Sequence, residues 1–300
     1  TLRTIAPEYE WVVSPDGRGL LISAERDGNT ISPERGVFHV DLDAEVTLEA
    51  LVARLEANLA WEVDLLAEGE ARFAPIRDEV AAVSGAVQTG RVHHYADHLY
   101  RMGSKFIGQP GNLEATEYLA ETLRSWGYEV EYEWFEPRGF PAANVIARLP
   151  GTANPELIYT ISSHFDSVLP APGADDNSSG TTALLAAARV LADHPRRATI
   201  EFAFLTAEEA GLLGAREYVR LAVENGKRIV GVLNNDMIGW TRSHRLDNTI
   251  RYSNPGIMRI QHAASHFFSD LITYDALYYR GTDGAVFYEA YGDIVGGIGS

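Results

Sequence analysis

The feature that most narrows the fold is an alternation. Short apolar segments of strand type alternate with segments whose apolar residues recur three and four positions apart, from about Val83 to the end of the chain. A helix over Leu113–Trp126, with Asn112 as its N-cap and Gly127 just past its end, leads into the strands EVEYEWF and NVIARLPG. LIYTISSHF is then followed by a helix over Thr181–Leu191, TIEFAFLTA by one over Ala215–Glu224, and RIVGVLNNDMIG by one over Gly256–Phe268, with IVGGIG as a last strand. Strands that alternate with helices predict an α/β protein, a three-layer α/β/α sandwich around a mostly parallel mixed central sheet. In such a sheet ligands sit at the carboxyl ends of the strands.

The residues before this alternation read differently. Residues 1–43 hold short β-rich runs around the turn signal Ser14-Pro15-Asp16-Gly17, with VFHVDL as a further strand. They resemble one repeat of a bacterial β-propeller, a unit that cannot bury its faces alone. Residues 44–88 are expected to form a helical linker or cap, because Leu48, Leu51, Leu55, Leu59, Val63, Leu65 and Leu66 keep helical spacing among charged residues. Residues 89–300 form the expected main domain. At 300 residues and 46% hydrophobic composition the chain has ample material for a large core. The N-terminus TLRTIAPEYE lacks the basic-then-apolar order of a signal peptide, and the missing initiator Met leads to the expectation that residues precede Thr1.

Charge and cysteine content restrict the chemistry. With 25 basic against 42 acidic residues the formal charge is −17, which disfavours nucleic acid and favours cations. No apolar run reaches the roughly 20 residues of a membrane span. There are no cysteines, so disulfides, thiolate nucleophiles and sulfur-ligated metal sites are excluded, and any metal must be held by His, Asp and Glu.

Three of the apolar strands end in such residues: His164 and Asp166, Glu208 and Glu209, and Asp236, with Asp175 and Asp176 in the loop after the first. If the strands are parallel neighbours these groups share one edge of the sheet. Two like charges about 4 Å apart repel by about 4 kcal/mol at an effective dielectric near 20, so gathering this many carboxylates calls for a divalent cation. His and carboxylate ligation suits zinc, manganese or cobalt better than calcium. Other readings stand beside this one. Asp and Asn in GADDNSSG also suit a helix cap, Glu208 and Glu209 suit a solvated helix start, and Asp236 suits a turn. His262 and His266 in QHAASHF share a helix face, but Ala263 stands where a zinc-protease helix needs its catalytic Glu. His93, His94 and His98 read as ordinary surface or packed histidines. Tyr278, Tyr279 and Phe287 are candidates for a substrate pocket or for core.

From about residue 89 onward the chain resembles the co-catalytic di-zinc aminopeptidase family, which includes bacterial leucyl aminopeptidases, glutamate carboxypeptidases and glutaminyl cyclases. The motifs that carry the resemblance are His164-Phe-Asp166-Ser, Pro-Gly173-Ala-Asp-Asp176-Asn177-Ser-Ser-Gly180, Ala-Glu208-Glu209-Ala-Gly211-Leu-Leu-Gly214 and Asn-Asp236-Met-Ile-Gly239, with SKFIGQPGNLEATEYLAETLRSWGYEVEYEWF upstream. The resemblance implies a zinc exopeptidase fold and two Zn2+ per chain. His164 and Asp236 would bind one ion, Glu209 the second, and Asp176 would bridge both. It further implies Glu208 as general base toward a metal-bridged water, Asp166 as the acid that orients His164, peptide substrates, and a secreted or periplasmic location. Where the family carries Ser-Asp-His, this chain reads Thr282-Asp283-Gly284, and the family's fifth ligand, a His in a short His-Thr loop, is expected after Ser300. The activity implied is that of an aminopeptidase. The alternatives are a one-zinc acyltransferase of the glutaminyl cyclase kind and an inactive binding module.

Overall fold

A computed structural model describes residues 11–25, 35–42, 47–239, 247–269, 272–277 and 281–299. The chain divides into two compact units, Thr1–Glu68 and Gly69–Ser300. In the first, β1 (Trp11–Val13), β2 (Gly19–Glu25) and β3 (Arg35–Asp41) form an antiparallel sheet. Ser14 and Asp16 shape the turn into β2, with Ser14 Oγ accepting from Gly19 N at 2.9 Å. The likeness to a propeller repeat finds no independent support in this three-stranded meander.

Helix α1 (Leu48–Phe73) leads into the second unit, where α2 (Arg77–Gly85), α3 (Thr89–Arg101) and α4 (Pro110–Ser125) follow. Helix α4 corrects one expectation from the sequence. Asn112 is not its N-cap, because the helix already begins at Pro110, the imino acid whose missing N–H suits a first helical position. Asn112 is buried, and its side-chain amide donates to the Lys105 carbonyl at 2.7 Å and to Thr206 Oγ1 at 2.8 Å.

The remaining elements are β4 (Glu129–Phe135), β5 (Ala142–Leu149), β6 (Asn154–His164), α5 (Ser178–Leu191), β7 (Ala198–Leu205), α6 (Leu213–Glu224), β8 (Arg228–Asn235), β9 (Asp247–Tyr252), α7 (Pro255–Phe268), β10 (Ile272–Leu277), α8 (Gly284–Tyr291) and β11 (Val295–Gly299). The strands form one eight-stranded mixed sheet in the order β10-β9-β11-β8-β6-β7-β5-β4. The centre, β11-β8-β6-β7, is parallel throughout, and β5 and β4 add antiparallel at one side. This is the expected three-layer α/β/α sandwich.

Alternation along β7 shows the two faces. Phe202 and Phe204 point into a core with Leu119 and Leu123 of α4, Leu184 and Leu185 of α5, and Val145 of β5, all buried. Each such side chain contributes about 1.5–3 kcal/mol on burial. Glu201, one residue away, faces the opposite helical layer, where it accepts from Tyr218 Oη of α6 at 2.6 Å and pairs with Lys227 and Arg148. Tyr218 in turn packs on Phe287 of α8, with ring centroids 5.5 Å apart, which places Phe287 in the core.

Candidate metal centre

The parallel register of β8, β6 and β7 brings the predicted residues to one rim. His164, the last residue of β6, lies beside Leu205 at the end of β7, and Ser162 lies beside Asn234 near the end of β8. His164 is buried with acids on both sides of its ring. Nε2 lies 3.3 Å from an Asp176 oxygen and 3.3 Å from an Asp236 oxygen, while Nδ1 lies 3.4 Å from Asp166 Oδ1. One candidate ligand atom from each of His164, Asp176 and Asp236 falls within 4.8 Å of the others.

Charge in this cluster is unbalanced. Burial alone would lower the His164 imidazole, but the carboxylates of Asp166, Asp176 and Asp236 hold it well above its ordinary value. The carboxyl groups respond in the opposite sense. Burial, reinforced by Asp176, pushes Glu209 up to about 7. Burial also pushes Glu208 up to about 9; Asp283, Asp236 and Asp166 add to the rise, and only His164 opposes it. Acids that resist ionisation around an imidazole that resists losing its proton describe a site in need of positive charge. A divalent cation fits: the donors are of His and carboxylate type, and Glu209 Oε1 is buried with no hydrogen-bond partner.

The local backbone explains how the acids are presented. In the stretch from Gly173 to Gly180, which runs into the first turn of α5, alternate side chains face the backbone after β8. Asp175 accepts from Gly239 N at 2.8 Å, Asn177 Oδ1 accepts from Met237 N at 3.2 Å, and Ser179 Oγ accepts from Ile238 N at 3.0 Å. Asp176, between them, turns to His164 instead. Asn177 also caps α5, with Oδ1 accepting from Gly180 N at 3.0 Å, so the helix-cap reading of GADDN falls on Asn177 and leaves the Asp176 carboxylate to face His164. Gly180 is required for the close approach, since a Cβ there would lie 2.5 Å from the Asn235 carbonyl oxygen.

Asp166 joins the first strand end to the second. Its two oxygens accept from Glu208 N at 3.1 Å and Glu209 N at 3.2 Å, while Oδ1 faces His164. The turn that carries the two glutamates is therefore not a solvated helix start. It begins with Ala207 at φ 58° and ends with Leu212 at φ 59°, left-handed conformations that cost about 1–3 kcal/mol each where the residue is not glycine.

Sequence reasoning passed over Asp283. It is fully buried just before α8, and neither carboxylate oxygen has a hydrogen-bond partner. Burial, opposed by His164 and aided by Asp236 and Asp166, raises it to about 8, which places it at the same rim. A relay fixes its position: Ser162 Oγ donates to Asn234 Oδ1 at 2.8 Å, and Asn234 Nδ2 donates to Thr282 Oγ1 at 2.8 Å. Its neighbourhood in the sequence, Thr282-Asp283-Gly284, reads as a polar start to a helix, and nothing local marks the Asp as buried. Elsewhere, His262 is buried and His266 exposed on α7, and neither joins a cluster of three candidate ligands among the described residues. His98 packs on Tyr118 with centroids 4.2 Å apart. Tyr278 and Tyr279 lie outside the described residues.

The sequence pattern of Peptidase family M28 matches residues 144–296, from β5 through β11. The chain belongs to peptidase family M28. Among M28-like relatives, a probable zinc metalloprotease of Pyricularia oryzae is 27% identical over 242 residues, covering 71% of this chain and 48% of the relative. Leucine aminopeptidase 1 of Coccidioides posadasii is 36% identical over 250 residues, covering 79% of this chain and 59% of the relative. Among solved structures, the aminopeptidase from Aneurinibacillus sp. strain AM-1 shares the fold with a TM-score of 0.65 at 17% identity, over 73% of this chain and 87% of that one. The chain spans about half the length of the curated M28 relatives it matches.

Proposed function

We propose that this M28 chain carries the centre of a zinc aminopeptidase, which releases N-terminal residues, preferably apolar ones, from peptides. The observation that supports this reading most is the convergence of one candidate ligand atom from each of His164, Asp176 and Asp236 within 4.8 Å at the rim of the sheet. In this reading His164 and Asp236 hold one Zn2+, Glu209 a second, and Asp176 lies between them. Residues 89–300 form the peptidase domain, preceded by the helical stretch 44–88 and the β segment 1–43. Zinc, when bound, supplies a Lewis acid for the scissile carbonyl and lowers the pKa of water.

The protein's own residues do the rest. Asp166 sets the His164 ring through Nδ1 and, through the Glu208 and Glu209 amides, fixes the turn that presents both glutamates. Glu208 takes the proton of the attacking water and returns it to the departing amine. A base must be ionised, and Glu208, raised by burial to about 9, becomes so when cationic charge sits beside it. Asp283, buried and close in charge to Asp236 and Glu208, is a further acid of the same rim.

The decisive experiment combines metal content with turnover. The protein is freed of metal with a chelator, reloaded with zinc, and assayed on a panel of aminoacyl p-nitroanilides. Two zinc ions per chain and chelator-sensitive release support an aminopeptidase. One ion with cyclisation of an N-terminal glutaminyl peptide supports the acyltransferase alternative. No bound metal and no turnover leave a binding module.

A further inference from the structure

The segment between β6 and α5 carries Asp166 near one end and Asp176 near the other, and residues 165–173 contain no helix or strand. Backbone bonds hold its two ends, Phe165 N to the Leu205 carbonyl and Ser178 N to the Gly173 carbonyl, and between them its position depends on side chains. Two of these tethers come from one residue, Lys105, whose buried ammonium the chemistry above does not use. Lys105, in the turn between α3 and α4, is fully buried. Its ammonium donates to the Leu99 carbonyl of α3 at 3.4 Å and, in a shorter contact, to the Pro172 carbonyl of the loop. Its backbone N–H donates to Ser167 Oγ at 3.0 Å, and that hydroxyl donates to the Ala171 carbonyl at 2.8 Å. Its own carbonyl accepts from Asn112, whose amide also reaches Thr206 just ahead of the Glu208 turn. Ser104 Oγ adds a bond to the Val168 carbonyl at 3.4 Å.

A buried ammonium is costly unless it is paired and hydrogen-bonded. Burial pushes this one down to about 8, and the Asp166 carboxylate is the charge that supports it. Lys105 thus bonds to Ser167, the neighbour of the acid beside His164, and to Pro172 in the loop that leads to Asp176.

We propose that Lys105 is a positioning residue of the metal centre, whose ammonium pins the 167–172 loop to the end of α3 and so holds Asp176 in register with His164 and Asp236. This rests on the reading of those three residues as metal ligands. Supporting groups of this kind set metal affinity by fixing where the ligands stand, and their loss costs about 10- to 100-fold. Methionine at this position would keep the length of the side chain and lose both donors, leaving the Leu99 and Pro172 carbonyls without them; arginine would keep the charge and the donors.

The test uses metal-free full-length protein, wild type beside Lys105→Met and Lys105→Arg. Zinc is titrated in competition with a chromophoric chelator, and the visible spectrum of the Co2+-loaded form reports ligand geometry. Folding is checked by circular dichroism and by melting in excess chelator. The expected result is zinc affinity lower by about 10-fold or more in Lys105→Met, a changed cobalt spectrum, and recovery of most of both in Lys105→Arg. A folded Lys105→Met with unchanged affinity and spectrum overturns the proposal. So does an equal loss in both variants that is matched by an equal fall in chelated melting temperature, which marks a purely structural role. If wild type itself binds neither zinc nor cobalt, the metal reading falls and this proposal falls with it. Should Lys105→Met fail to fold, Ser167→Ala takes its place: it removes the hydroxyl between the Lys105 amide and the Ala171 carbonyl. A several-fold loss of zinc affinity supports the proposal, and unchanged affinity overturns it.

Discussion

Glu133 offers a quantitative test of the polar layer that supports the glutamate turn. It lies on β4, is only 5% exposed, and accepts from Asn144 Nδ2 at 3.2 Å. Asn144 also donates to the Gly214 carbonyl at 2.9 Å and accepts from Thr206 N at 3.1 Å, so Glu133 sits two hydrogen bonds from the backbone that leads to Glu208. Burial raises its carboxyl from 4.5 to about 7; the Asn144 bond and Lys227 oppose the rise, and Glu131 and Glu201 add to it. A rise of this size corresponds to about 3 kcal/mol in favour of the neutral form in the fold. The sign follows directly: the folded state binds the proton more tightly than the unfolded chain, so this contribution is present at low pH and is lost as pH climbs from about 4.5 through 7. About 2.5 kcal/mol of that loss falls between pH 5 and pH 8. Glu133→Gln keeps an acceptor for Asn144 and removes the ionisation. Urea unfolding of both proteins at pH 5 and pH 8, at a fixed zinc concentration, cancels the contributions of Glu208, Glu209 and Asp283. We predict that the variant gains about 2.5 kcal/mol on wild type between the two pH values. A stability difference that is the same at both refutes the assignment of a buried, proton-holding carboxyl to this strand.

Two further predictions concern the rim itself. Glu208→Gln should retain zinc, measured by metal analysis, and lose turnover by about 10²-fold or more; retained turnover would assign the base elsewhere. Gly180→Ala drives a methyl group against the Asn235 carbonyl oxygen, with Asn177 Oδ1 at 2.6 Å and Ser163 Oγ at 2.7 Å, and should cost about 1–3 kcal/mol in urea unfolding together with weaker zinc binding. A neutral outcome would mean that the loop and the end of β8 do not meet so closely.

Much of this was legible in the sequence because strands buried on both faces leave long apolar runs, and an acid at the end of such a run stands out. EVEYEWF was read as a strand and is β4 to the residue. His164, Asp176 and Asp236 were read as ligands from separate motifs and lie together. What stayed hidden depended on tertiary structure. Asn112 has the side chain of a helix cap, but Lys105 and Thr206 claim its amide. Strand β9, whose sequence is DNTIRY, opens on three polar residues, and strand β10, whose sequence is ITYDAL, is short; the pairing of β9 on β11 and of β10 on β9 is long-range information. Asp283 gave no local signal because its importance lies in being buried beside acids more than forty residues away in sequence.

The alternation in the 173–180 stretch separates holding from reacting. Asp175, Asn177 and Ser179 stitch it to the neighbouring strand, and Asp176 contributes nothing to those stitches. On the proposed reading, a lineage that exchanged Asp176 for an inert residue would forfeit an ion while keeping the contour of the chain, so this architecture could drift from catalyst to scaffold without first becoming unstable.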